Sequence, residues 1–290
     1  MTIYVGTARI DPIVELVDDA NFMASRFLPE HDPKALQNHM SWLAGPHFNV
    51  ETGSLVLSVH SWLVRTEQHT ILIDTCVGNH KHREPVIPHW HDLNTPYLNN
   101  LAAYGVTPDD VDFVMCTHLH VDHVGWNTQL IDGRWLPTFP NAKYIFSQSD
   151  YDHWSTHEAK FAQTVYQDSV LPVVEAKLAV LIDDGYQVGD NFQVELAPGH
   201  TPGSIALHLE SQSDRAVFAG DILHSPIQIY YPDWSSSACV DPVQSAVTRR
   251  QVLAATAESG ALFLPAHFSA PHGGTIREAG AAFAINWLTN

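Results

Sequence analysis

Residues 117–123 read Thr-His-Leu-His-Val-Asp-His, which sets His118, His120, Asp122 and His123 within a single short run. No other stretch of the chain constrains the fold as strongly. In an extended segment alternate side chains point the same way, so His118 and His120 share a side and Asp122 continues the spacing. The adjacent His123 then needs only a turn to address a second, neighbouring ion. Imidazoles and carboxylates at this density are ligands for divalent cations, and a fold that uses them must bring further donors to the same place.

Three further donors sit in suitable settings. His200 lies in the loop 197–203, Ala-Pro-Gly-His-Thr-Pro-Gly, whose turn residues hold a side chain rigidly. Asp221 follows the apolar run 216–220, which reads as a buried strand with a carboxylate at its tip, and His267 follows the apolar run 261–266. A His or Asp at one strand end is more often structural than a ligand. Taken with the 118–123 run, the three complete a set of seven donors.

From about residue 53 to 274 the sequence resembles the metallo-β-lactamase superfamily. The matching pieces are Asp74 closing 70–74, the His118–Asp122–His123 run, the 198–203 loop, Gly220-Asp221 and Ala266-His267. The resemblance implies a mixed α/β fold, a four-layer αββα sandwich, with two metal ions where strand-end loops converge. It also implies His118, His120 and His200 on one ion, Asp122, His123 and His267 on the other, and Asp221 bridging them with a hydroxide. Asp74 would orient a ligand imidazole from behind. Cys76 stands where the family commonly has Gly, at a position that is not a ligand.

Composition narrows the reading. A chain of 290 residues that is 45% apolar can bury one large core, and we read it as a single domain with residues 1–50 as an N-terminal extension or flap. With 14 basic against 32 acidic residues the net charge is −18, which disfavours nucleic acid, since such binding needs Lys and Arg to displace counterions. No apolar run has membrane-spanning length and the first residues lack signal-peptide character, so no membrane partner is expected. Cys76, Cys116 and Cys239 are sparse, and a reducing cytoplasm is the simplest setting.

Apolar runs predict strands at 55–59, 62–65, 70–73, 111–116 and 142–146. Thr95-Pro96 predicts a helix over 97–104 with Thr95 as N-cap, and another helix is expected from about Ser149. Asp241-Pro242 predicts a helix with Val243, Ala246, Val247 and Ala254 on its buried face and Gly260 beyond its end. Thr275-Ile276-Arg277-Glu278 reads as a capping box for a last helix running to about Leu288.

These ligands suit zinc first, with iron, manganese, cobalt and nickel open. No G-x-S-x-G elbow, P-loop or G-x-G-x-x-G fingerprint competes, so hydrolysis of a small molecule by a metal-bridging hydroxide is expected, with Asp122 and Asp221 in catalytic roles. An Asp in the bridging role resembles the glyoxalase II, lactonase and organophosphate or ester hydrolase branches. Glyoxalase II is disfavoured because a single helix is expected after His267. The wording of 116–127 and 132–142 looks most like quorum-quenching lactonases and methyl-parathion-hydrolase-like enzymes. That implies a lactone or carboxylic ester as substrate, an acyl-homoserine lactone first. An aryl ester or organophosphate is the alternative; a β-lactam, a glutathione thioester or persulfide oxidation by one iron rank lower. His224 stands three residues after Asp221, where familiar homoserine lactonases have Tyr, and is expected to contact the substrate or protonate the leaving group. Trp126, Tyr230 and Phe268 are expected to wall an apolar pocket, although such aromatics could equally bury a homodimer interface.

Overall fold

A computed structural model describes residues 1–289. The strands are β1 (Ile3–Val5), β2 (Ala8–Met23), β3 (Phe48–Asn49), β4 (Ser54–Arg65), β5 (Thr70–Ile73), β6 (Phe113–Met115), β7 (Thr128–Ile131), β8 (Arg134–Pro137), β9 (Lys143–Ser147), β10 (Ala179–Ile182), β11 (Gln187–Val188), β12 (Phe192–Leu196), β13 (Ile205–Ser211), β14 (Asp214–Gly220), β15 (Leu262–Pro265), β16 (Gly274–Ala279) and β17 (Ala282–Trp287). The chain divides into two compact units. The motif unit comprises residues 2–16 and 59–184, and the C-terminal unit comprises residues 1, 17–58 and 185–289.

In the motif unit, β4 pairs antiparallel with β5, and β5, β6, β9 and β10 run parallel. The short apolar runs of β5 and β6 suit a parallel sheet covered on both faces, where Ile71, Leu72, Ile73, Val114 and Met115 are all buried. Parallel pairing has a functional consequence. Ile73 lies beside Met115 and Met115 beside Ile145, so β5, β6 and β9 end at one edge of the sheet. Asp74, the 117–123 loop and the helix Gln148–Thr156 all start there.

The C-terminal unit carries the sheet β11-β12-β13-β14-β15-β16-β17. Every neighbouring pair is antiparallel except β14 and β15, which run parallel with Phe218 beside Leu264 and Gly220 beside Pro265. That single parallel pairing delivers Asp221 and His267 to the same edge. The helix Pro242–Ser259 is capped by Asp241, which accepts from the Gln244 amide at 2.9 Å, and closes on left-handed Gly260.

Several sequence expectations need correction. The runs 55–59 and 62–65 form one continuous strand, β4; residues 1–50 contribute β1, β2 and an apolar cluster of Leu28, Leu36, Leu43 and Phe48 with Leu55 and Leu57. The helix near 97 spans Tyr97–Ala102 with Pro96 at its N-cap, because the Thr95 hydroxyl is engaged elsewhere, donating to Glu15. The Pro242–Ser259 helix buries Ser245, Thr248, Arg249, Val252, Leu253 and Thr256, while Val243 is 75% exposed. Its inward face is polar because it must satisfy loop carbonyls: Arg249 donates to Ile222 O at 2.7 Å and Pro232 O at 2.6 Å, and Thr248 to Pro198 O at 2.6 Å. The expected last helix is a β-hairpin, with β16 and β17 paired through Ile276 beside Ile285 and turning at left-handed Gly280. The alternation of buried and exposed residues from Gly274 to Arg277 outweighs the local Thr-x-x-Glu pattern.

Candidate metal centre

The 117–123 segment is a tight loop rather than an extended strand, which overturns the simple same-side argument. In the motif unit it is built around Asp74. That residue follows β5 in left-handed backbone, φ 59°, and its carboxylate accepts the Thr117 amide at 2.7 Å, the Thr117 hydroxyl at 2.8 Å and the His123 Nδ1–H at 2.8 Å. Asp150 supports the loop from the other side, accepting the Leu119 amide at 2.8 Å. His118 Nε2 and His120 Nδ1 stand 3.1 Å apart, and the Thr117 hydroxyl meets His118 Nδ1 at 3.2 Å. His118 and His123 are buried with ring centroids 4.0 Å apart, and His123 Nε2 lies 3.7 Å from an Asp122 carboxylate oxygen.

In the C-terminal unit three imidazoles converge on one carboxylate. Asp221 lies 2.9 Å from His267 Nε2, 3.1 Å from His224 Nε2 and 3.3 Å from His200 Nε2. The far nitrogens are held separately: His267 Nδ1 by the Ser58 carbonyl at 3.1 Å and His200 Nδ1 by the Cys239 sulfur at 3.5 Å. The His200 loop seats against the Pro242–Ser259 helix, and Gly199, at φ +131°, lies so close that a Cβ there would fall 2.3 Å from the Ser245 nitrogen.

Charge in this cluster is divided unevenly. Burial lowers the His200 affinity for a proton, but hydrogen bonds to Asp221 and Cys239 outweigh it and lift its pKa to about 9. For His224 burial wins over Asp221, and its pKa falls to about 3. His224 is therefore neutral, 2% exposed and packed edge-on against Phe27 at 5.1 Å.

Of the aromatics expected to wall a pocket, Trp126 is buried, stacked on Tyr97 at 5.2 Å with its indole N–H donated to Glu15 at 2.6 Å. Phe268 is fully buried beside Trp287 and His47. Tyr230 alone of the three keeps an open face, in a cluster with Trp42 at 5.3 Å and His39 at 4.7 Å. Sequence reasoning passed over Asp150, Glu15, Thr117 and Cys239. Only Thr117, adjacent to the histidine run, carried any local signal.

The family model of the metallo-beta-lactamase superfamily matches residues 55–267. The chain belongs to that superfamily. It is similar to the N-acyl homoserine lactonase AiiA of Bacillus thuringiensis subsp. kurstaki, 26% identical over 174 residues that cover 56% of this chain and 62% of the relative. It thus spans about 62% of the length of the curated relatives it first matches. Among solved structures it resembles the dizinc quorum-quenching lactonase AidC with TM-score 0.80 at 21% identity, covering 100% of this chain and 97% of that one. It also resembles the hydrolase AbOPH with TM-score 0.83 at 22% identity, again covering 100% and 97%. The fold is the metallo-β-lactamase fold.

The residues present fit divalent cations. Two nitrogens bound at about 2.0–2.1 Å to one tetrahedral ion lie about 3.3 Å apart. The 3.1 Å between His118 Nε2 and His120 Nδ1 is close to that figure. The acceptor oxygens at His123 Nδ1 and His267 Nδ1 assign the tautomers that leave each Nε2 free to donate its lone pair to a metal.

Proposed function

We propose that this protein is a metal-dependent hydrolase that opens a lactone or cleaves a carboxylic ester, with N-acyl homoserine lactones the first substrates to test. The observation that carries this reading is the convergence of His200, His224 and His267 on the single carboxylate of Asp221. The lactonase relatives support the substrate class.

In this reading, carried over from the superfamily resemblance, His118, His120 and His200 would hold one ion, Asp122, His123 and His267 the other, and Asp221 would serve both. Zinc is the first choice for a set of imidazoles and carboxylates. When bound, divalent cations would lower the pKa of a coordinated water and polarise a carbonyl oxygen. The chain's own residues supply the rest. Asp74 and the Ser58 carbonyl fix two imidazole rings through their far nitrogens. His224 keeps a proton on Nε2 at neutral pH and donates it to Asp221 at 3.1 Å, holding that carboxylate in one orientation. With 2% exposure its ring is better placed for this than for touching substrate. Tyr230 and Trp42 offer the apolar surface for an acyl chain.

The test is zinc stoichiometry on purified protein beside turnover of an acyl-homoserine lactone, a γ-lactone, p-nitrophenyl acetate and methyl parathion. The expected result is about two ions per chain, with chelator-sensitive lactone turnover above that of the aryl ester. Preference for the aryl ester or the organophosphate would replace the substrate assignment. One iron without hydrolysis would overturn the mechanism.

A further inference from the structure

The last residue of the motif unit's first segment to turn inward is Glu15 on β2, a buried carboxylate held by neutral donors. The Val77 amide donates to Oε2 at 2.7 Å, and the Thr95 hydroxyl and the Trp126 indole N–H donate to Oε1 at 2.8 and 2.6 Å. Burial pushes its carboxyl above the usual range, and these hydrogen bonds pull it back. An isolated buried carboxylate is costly unless its geometry is needed.

Two of these donors flank the metal-ligand loop. Trp126 lies in the turn Gly125–Asn127 that leaves the 118–123 run, and Val77 lies in the segment after β5 against which that turn packs. The two segments are interlocked: the Thr75 amide donates to the His123 carbonyl at 2.8 Å, the Gly125 amide to Cys76 O at 2.7 Å and the Trp126 amide to Thr75 O at 2.7 Å. The fit is tight enough that a Cβ on Gly125 would fall 1.9 Å from the Val77 carbonyl carbon. The carboxylate grips one residue on each side of this interlock.

We propose that Glu15 is a positioning residue for the ligand loop, clamping the 75–77 segment onto residues 123–126 and thereby setting the backbone of Asp122 and His123. The proposal rests on the reading of that loop as metal-binding. It acts on no reacting atom. The carboxylate form is required because the Val77 amide and the Trp126 indole can only donate, one to each oxygen, so Gln, which must turn an N–H₂ toward one side, abandons one of the two.

The experiment is hydrogen exchange on the zinc-loaded full chain, read at the Thr75, Val77, Gly125 and Trp126 amides, with zinc affinity measured by competition against a chromogenic chelator. In Glu15→Gln these amides are expected to exchange at least about tenfold faster, those of β12–β14 at the wild-type rate, and zinc is expected to bind about tenfold more weakly. Trp126→Phe removes one indole N–H and keeps a ring. It is expected to loosen Thr75, Gly125 and Trp126 while Val77 stays protected, and it decides the question should Glu15→Gln fail to fold. Unchanged exchange at all four amides, or equal acceleration in β12–β14, would overturn the assignment. Wild-type protein that holds no zinc would instead overturn the metal reading, and that result is read from stoichiometry alone.

Discussion

Asp74 Oδ2 receives the Nδ1–H of His123 at 2.8 Å while the same carboxylate holds both the amide and the hydroxyl of Thr117. One side chain thus sets the entry to the 117–123 loop and the tautomer of His123 near its end. Asp74→Asn keeps the size but offers one acceptor oxygen in place of two. Zinc affinity should fall by about 10–100-fold with the fold intact, as is usual for the outer partner of a metal-binding imidazole. Isothermal titration with zinc beside circular dichroism checks it; unchanged affinity would refute the role given to Asp74.

His224→Phe keeps the bulk against Phe27 and removes the hydrogen bond to Asp221. If His224 orients Asp221, kcat should drop about tenfold or more with KM little altered, because the loss falls on transition-state geometry. A rise in KM at constant kcat would instead return His224 to the substrate-contacting role.

His47 is stacked on Trp287 at 4.9 Å, and burial lowers its pKa to about 4. The unfolded chain takes up this proton at about pH 6.5, before the folded one does. The stability contribution is therefore complete above pH 6.5 and is lost as the pH falls toward 4, with up to about 3 kcal/mol at stake. In His47→Phe the decline in Tm between pH 6.5 and 4 should be shallower than in the wild type. Parallel curves would show that His47 does not govern acid sensitivity.

Gly199→Ala puts a methyl group 2.3 Å from the Ser245 nitrogen, at a φ of +131° that L-residues rarely adopt. The His200 loop must move or the helix must shift. We expect a loss of about 2–4 kcal/mol in urea unfolding together with weakened zinc binding. Wild-type stability in this variant would mean the loop is not seated as described.

Arg249 is a buried cation that donates to Ile222 O and Pro232 O, joining the segment after Asp221 to the Pro242–Ser259 helix. Arg249→Met leaves both carbonyls without that donor, at about 1–3 kcal/mol each. Chemical denaturation should show a loss of about 2–6 kcal/mol for the two together, and a change below about 0.5 kcal/mol would contradict the bracing role.

The donors themselves were legible in the chain. A His-x-His-x-Asp-His run, a Pro-Gly-His-Thr-Pro-Gly turn, and an Asp and a His closing apolar strands are local patterns, because ligand chemistry and turn chemistry are both written in short stretches. The same locality explains the misreadings. Thr275–Glu278 has a helix-start spelling, yet pairing with β17 decides its conformation, and a cross-strand partner is invisible in a local window. Val243 and Val247 looked like a buried face, but the helix turns Thr248 and Arg249 inward because loop carbonyls distant in sequence need donors there.

What the sequence by itself determined is therefore the chemistry: which groups could hold metal and on which strand ends they sit. Only the tertiary structure decided how those groups are held. Asp74 reaches His123 across 49 positions, the Ser58 carbonyl reaches His267 across 209, and Glu15 reaches Trp126 across 111. Contacts of that span depend on strand order and register, which arise from burying apolar faces across the whole chain rather than from any one segment.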